Sequence, residues 1–142
     1  VYMAAVVYFM FFAESFDRPD VRQEYHYNLI LFKEIKRFII YRDQLGMKAV
    51  FLNIVGNAVG FMPFGFFLPI VSRRSRRWYN TVLFGFSFSL AIEITQLVWK
   101  VGSFDVDDIL LNTIGAALGF IVYRKVQRYR RRKMDGKRAK SE

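Results

Sequence analysis

Long apolar runs separated by charged segments dominate the pattern of the chain. Residues 49–71 and 78–99 are both long enough to cross the hydrocarbon core of a bilayer, which takes about 20 residues. A third run, 105–123, is short and acidic at its start. Residues 1–13 are apolar but too short to cross alone; the end of a transmembrane helix is favoured over a signal-peptide core, because no small-residue cleavage site follows. The pattern predicts an all-α integral membrane protein with a four-transmembrane-helix bundle, whose first helix is truncated at its start.

The polar loop between the first two predicted spans contains a second kind of pattern. Residues 14–46 carry six basic and six acidic residues. Within them, NLILFKEIKRFIIY (28–41) repeats apolar residues at helical spacing, at Phe32, Ile35 and Ile39. This pattern predicts an extracellular amphipathic helix, which either lies on the membrane surface or packs against the protein.

The basic residues predict the orientation of the chain. The turn SRRSRR (72–77) has four arginines and the segment 124–142 has ten lysines and arginines, whereas the turn after the third span has only Lys100. The positive-inside rule therefore predicts a multi-pass protein with 72–77 and both termini in the cytoplasm. We expect a transmembrane domain over 1–123, followed by a basic cytoplasmic tail that contacts anionic lipid.

Composition changes this interpretation little. The net charge of +10 could suggest a nucleic-acid partner, but the basic residues lie beside the apolar runs and form no aromatic–basic face. No nucleic-acid partner is therefore expected. The chain has no cysteine, which excludes disulfides and thiolate metal sites.

Polar residues within the predicted spans fall at one depth in this topology. At 1.5 Å rise per residue, most lie within about 10 Å of the outer membrane edge, on one face of each helix. Small residues accompany them, and GNAVG (56–60) and GAALG (115–119) have the spacing of close helix contacts. We expect an outward-facing polar pocket with seven ligand-binding residues: Asn53, Asn57, Glu93, Gln96, Asp105, Asp108 and Asn112.

The carboxylates of this face suggest chemistry. Glu93, Asp105 and Asp108 are the candidate catalytic residues, as general acid and base, and the candidate ligands of a divalent cation. A carboxylate inside a span indicates a functional site by default. The structural alternatives are that Asp105 caps the last helix and that asparagines hold the helices together. Asp107 points away from the shared face and suits a helix-dipole contact.

Several of these motifs together resemble the VanZ-like family of bacterial integral membrane proteins, named for a teicoplanin-resistance determinant. The matching motifs are GNAVGFMPFGFFLP (56–69), the Glu93–Gln96 pair of EITQ, and GSFDVDDILLNTIGAALG (102–119). Asn28-Leu29-Ile30 is similar to the family's N-L-I-P-F segment, with Leu31 in place of the proline that would set a turn there. The likeness covers roughly residues 28–123.

The resemblance implies a protein of the bacterial cytoplasmic membrane that is linked to low-level resistance to glycopeptides, teicoplanin above all. It implies neither a mechanism nor agreed catalytic residues. The first hypothesis is binding of an envelope lipid, a lipid-linked ligand or a lipoglycopeptide in the polar pocket. The alternative is a membrane-embedded enzyme that acts on lipid-linked phosphate or glycan through carboxylate acid–base or divalent-cation chemistry. In a third hypothesis the polar residues only hold the bundle together.

Overall fold

The computed structural model describes residues 27–41, 47–100 and 103–138, and their secondary structure is mainly helical. In chain order the elements are β1 (Tyr27–Asn28), α1 (Lys33–Ile40), α2 (Met47–Val71), a 3-10 helix (Arg73–Arg76), α3 (Trp78–Trp99), β2 (Phe104–Asp105) and α4 (Val106–Arg138). The side chains of some residues inside these helices, Asn53 among them, lie outside the description. So does the predicted first span, residues 1–13.

Three helices of the described ranges are long and apolar enough to cross a membrane. The candidate spans lie within Ile54–Val71, Trp78–Trp99 and Val106–Gly136. These correspond to the second, third and fourth predicted spans, and the bounds of α3 agree with the prediction at both ends. The protein is therefore a helical membrane protein.

The last helix extends further than its apolar run. α4 continues without a break from the predicted span, which ends at residue 123, into the basic segment as far as Arg138. Arg, Lys and Gln are good helix formers, and extension of an existing helix avoids the cost of a new nucleus. Most of the basic segment is thus a helix that continues a span.

Close backbone contact joins α2 to α4, which run parallel. A Cβ added at Gly115 would stand 2.1 Å from the carbonyl oxygen of Ala58, and one at Gly119 would stand 1.9 Å from that of Met62. Neither position has room for a side chain. The close contact predicted for GAALG (115–119) is confirmed.

The other predicted glycine pair does not make this contact. A Cβ at Gly56 or Gly60 would meet nothing within 4 Å among the described residues. The surface of α2 that touches α4 includes Ala58 and Met62, each two residues after one of these glycines, and a third glycine, Gly65, where a Cβ would stand 1.9 Å from the carbonyl oxygen of Ala116. Two residues correspond to about 200° around a helix, so the contact lies on nearly the opposite side from Gly56 and Gly60.

Helix α3 packs antiparallel to α4. A Cβ at Gly85 would stand 2.6 Å from the Cβ of Ala116, so this contact is also close. The rings of Phe64 and Phe88 stack with centroids 5.3 Å apart, which joins α2 to α3. The hydrophobic core centres on α4, which contributes most of its members: Phe61, Ile92, Ile109, Leu111, Ala116, Phe120 and Tyr123.

A short segment, 27–41, docks on one end of this bundle and is called the β1–α1 segment below. β1 pairs in parallel with β2, with Tyr27 opposite Phe104 and Asn28 opposite Asp105. The predicted amphipathic helix is present as the shorter α1. A turn precedes α1, in which Lys33 N donates to the carbonyl oxygen of Ile30 at 3.2 Å, although the chain has no proline there.

Candidate functional site

Four buried carboxylates gather where α3 ends and α4 begins, and they are called the carboxylate cluster: Glu93, Asp105, Asp107 and Asp108. Asp105 caps α4, because its Oδ1 accepts a hydrogen bond from Asp107 N at 2.8 Å. The backbone N–H of Asp105 donates to Glu93 Oε2, also at 2.8 Å. The structural alternative for Asp105 is therefore confirmed, and Glu93 holds the strand that leads into this cap.

Asp105 also reaches the docked segment. The side-chain amide of Asn28 donates to Asp105 Oδ1 at 3.3 Å, and the other end of that amide accepts from Ile30 N at 3.2 Å. Asn28 is itself buried. One carboxylate thus caps a transmembrane helix and anchors the β1–α1 segment.

Asp107 provides the second anchor. Its Oδ1 accepts from Phe32 N at 2.5 Å and its Oδ2 accepts from Ile35 N at 3.2 Å. Phe32 and Ile35 occupy the N-cap and N3 positions of α1, and in an ordinary capping box two side chains of the helix itself satisfy these N–H groups. Here one carboxylate from α4 replaces both.

The sequence did not predict that Asp107 caps α1; it predicted that Asp107 points away from the shared face and makes a helix-dipole contact. One signal was available. The residue before α1 is Phe32, which has no side-chain acceptor, so the helix needed an external cap.

Asn57 and Asp108 join α2 to α4 beside the cluster. Asn57 Nδ2 donates to Asp108 Oδ1 at 2.6 Å. One helical turn deeper, Asn112 Nδ2 donates to Ser89 Oγ at 2.9 Å and joins α4 to α3. Asn112 is 0% exposed, and its Oδ1 has no hydrogen-bond partner in the described part of the chain.

The structure brings most of the predicted site residues together in a closed arrangement. Glu93, Gln96, Asp105, Asp108 and Asn112 are each at most 9% exposed. Gln96 lies on α3 three residues after Glu93, and therefore on the same side of the helix. The polar residues thus lie inside the protein beneath the β1–α1 segment.

At least one oxygen of each carboxylate in the cluster accepts a hydrogen bond from a protein donor. Burial of a carboxylate costs several kcal/mol, and backbone N–H and amide donors offset that cost here. Within 27–41, 47–100 and 103–138, no group of three or more acidic or histidine side chains is placed to hold a metal ion. The cation candidates Glu93, Asp105 and Asp108 are directed to different partners, on β2, β1 and α2 respectively.

The fold and the cluster define a class of helical membrane protein in which buried carboxylates fix a docked segment to one end of the bundle. The family model described as VanZ/LLP1 matches residues 1–127, and the chain belongs to that family. It is also similar to Protein VanZ of Enterococcus faecium, with 32% identity over 73 residues, which are 51% of this chain and 45% of the relative. The matched part is thus less than half of that relative. No solved structure matches the chain.

Proposed function

We propose that this is a VanZ-like protein of the bacterial cytoplasmic membrane, linked to low-level teicoplanin resistance, that binds an envelope lipid or lipid-linked ligand beside the carboxylate cluster. Family membership and the apolar helices support the membrane and resistance parts of this proposal. The proposed orientation follows the positive-inside rule, with both termini in the cytoplasm and the cluster at the outer face.

The observation that carries the binding proposal is the carbonyl oxygen of Asn112. It is fully buried and accepts no hydrogen bond within the described residues, a state that costs about 1–3 kcal/mol. A purely structural link to Ser89 needs only one end of the amide. The other end is an acceptor that suits a ligand hydroxyl or ammonium, groups that sugar and phospholipid headgroups supply.

The depth of Asn112 supports the same proposal. It lies one turn below Asp108 on α4, and Ser89 lies one turn below Glu93 on α3. A ligand bound there has carboxylates above it toward the outer face and the Gly85–Ala116 helix contact below. Carboxylates beside the site favour a cationic or hydroxyl-rich headgroup.

The basic end of α4 supports a second contact, with anionic lipid of the inner leaflet. The described residues from Arg124 onward are mainly exposed and basic, and the helix continues directly from the span. Each Lys or Arg near an anionic membrane surface contributes about 1 kcal/mol. This contact is independent of the ligand site at the other end.

The test of ligand binding is teicoplanin susceptibility of a sensitive bacterial strain that expresses the full chain. We expect Asn112→Leu to lose the protection given by the wild type and to lose lipid that co-purifies with it, as measured by native mass spectrometry. The matched control is Ser89→Ala, which removes the protein partner of Asn112 but keeps the free acceptor. If Asn112→Leu folds and retains both protection and lipid, the binding proposal is wrong.

A lipid-modifying enzyme is the second candidate, because Glu93 and Asp105 are buried neighbours. Glu93 Oε2 accepts from the backbone N–H of Asp105 at 2.8 Å, so the Glu93 carboxylate lies against the residue that carries a second buried carboxyl group, and the two are candidates for acid and base. Purified protein incubated with labelled lipid-linked glycan is the test. Turnover that Glu93→Gln abolishes, with binding retained, would favour the enzyme over the binding protein.

A further inference from the structure

We infer that the β1–α1 segment is an interaction surface for phospholipid, and that it inserts its apolar tip into the outer leaflet beside the bundle. The tip is the run Leu29–Phe32. Three consecutive members, Leu29, Ile30 and Leu31, are 64%, 64% and 50% exposed, and Ile40 at the end of α1 is 68% exposed. A continuous exposed apolar surface of this kind marks an interaction site.

The position of the segment favours lipid as the partner. β1 is paired with β2, which begins five residues after the last residue of α3. Trp99, the last residue of α3, is 68% exposed, and tryptophan concentrates at the interface between membrane and water. The β1–β2 pairing thus brings the tip to the end of the bundle where α3 ends at Trp99, which favours the membrane interface as its place.

The charge of α1 complements a phospholipid surface. Lys33, Lys36 and Arg37 are exposed, against a single acidic residue, Glu34, in the sequence of this helix. A helix with basic residues beside exposed apolar ones is typical of segments that lie in a bilayer interface and contact anionic headgroups.

Hydrogen bonds on either side of the tip hold it in its exposed position. Asp107 accepts from the N–H groups of Phe32 and Ile35 at the start of α1, and Asn28 donates to Asp105 just before the tip. Phe32 takes a φ of 64°, a left-handed conformation that costs energy for a bulky residue. The docked segment therefore presents its apolar residues in a fixed direction.

This inference uses the proposed orientation only to choose the leaflet, and it does not depend on the ligand of Asn112. The chain has no cysteine, so single-cysteine variants of the full protein can be labelled at one site. A polarity-sensitive fluorophore is placed at Leu31→Cys, Ile40→Cys and, as the matched control, Lys36→Cys. Each protein is reconstituted in vesicles of phosphatidylglycerol and phosphatidylcholine.

We expect phospholipids that carry a nitroxide near the headgroup to quench the labels at residues 31 and 40. Aqueous iodide should quench them about threefold less than the label at Lys36, which faces the headgroups and water. Equal iodide access at all three positions would overturn the inference. So would cross-linking of two copies through Leu31→Cys without lipid quenching, because a second chain would then be the partner.

The contribution of charge is tested in the same vesicles. Iodide access at residue 31 should rise about threefold when phosphatidylglycerol is replaced by phosphatidylcholine. The same rise is expected when Lys33, Lys36 and Arg37 are replaced by Gln. No change in either case would contradict anionic lipid as the partner. If the tip inserts but Asn112→Leu keeps its protection and bound lipid, only the ligand proposal is wrong. If Asn112→Leu loses both but the tip does not insert, only the present inference is wrong.

Discussion

The two ends of the bundle use charge in opposite ways. At one end, four carboxylates are buried and accept hydrogen bonds of 2.5–3.3 Å from named backbone and amide donors. At the other end, the arginines of the 3-10 helix and the basic residues of α4 are exposed. The energy of a buried charge depends on the individual groups that it bonds, whereas exposed charges act mainly through their total. Substitutions should therefore be costly one by one at the first end and only in groups at the second.

Asp107→Ala should have the largest effect. It leaves two N–H groups of α1 without their acceptor, and loss of hydrogen bonds to a charged group costs about 1.5–3 kcal/mol each. We expect a destabilisation of about 3 kcal/mol, with rapid hydrogen exchange throughout α1. The control is Asp135→Ala on the exposed basic end of α4, which should change nothing. Unchanged exchange in α1 after Asp107→Ala would refute the cap.

Asn57→Ala should have an intermediate effect. It removes one hydrogen bond to the buried carboxylate of Asp108, which costs about 1.5–3 kcal/mol. The α2–α4 backbone contact at Gly115 and Gly119 remains, so the protein should still fold with a lower Tm. Ala58→Ser, on the same helix, tests crowding at that contact without loss of the amide. An unchanged Tm for Asn57→Ala would mean that the link to Asp108 contributes nothing.

Charge removal at the basic end should affect lipid binding but not folding. Arg130, Arg131 and Arg132 are exposed on α4, and their replacement by Gln should weaken binding to anionic vesicles by about 3 kcal/mol in total at low salt. Helix content and Tm should stay at the wild-type values, because Gln is also a good helix former. A large loss of Tm would show that these side chains are structural and would erase the contrast between the two ends.

Tyr79→Phe should have the smallest effect. Arg77 Nη1 donates to Tyr79 Oη at 2.7 Å, and this hydrogen bond raises the pKa of Arg77. Both groups are exposed to solvent, which replaces the lost partner. Arg77 is protonated at every accessible pH with or without this bond, so neither the Tm nor its pH dependence should change. A measurable drop in Tm would show that exposed pairs at this end also act individually.

Features encoded by local pattern were predictable, and features made by tertiary contact were not. α3 was predicted to the residue, because span length and hydropathy are local properties. The contact face of α2 was assigned to Gly56 and Gly60, whereas Ala58, Met62 and Gly65 lie on it. Small residues indicate that helices can approach, but the partner helix decides on which side they do.

The candidate site divides in the same way. The burial of Glu93, Asp108 and Asn112 was predictable, because in the sequence each lies on the helix face that also carries the small residues. The function of Asp107 depends on a pair of two-residue strands, too short to leave a periodic signal, which bring residue 32 beside residue 107. α4 continues beyond the end of the apolar run. Hydropathy predicts where a helix leaves the membrane, but it does not predict where the helix itself ends.

The cap of α1 has a consequence for biosynthesis. The acceptor that starts this helix lies 75 residues after Phe32, beyond two complete transmembrane helices. At about 5–20 residues per second, the ribosome adds that stretch several seconds after Phe32 is made. An eight-residue helix is marginal in isolation. We therefore expect α1 to form late, after α4 has entered the membrane. Docking of the β1–α1 segment would then occur only once the bundle is complete.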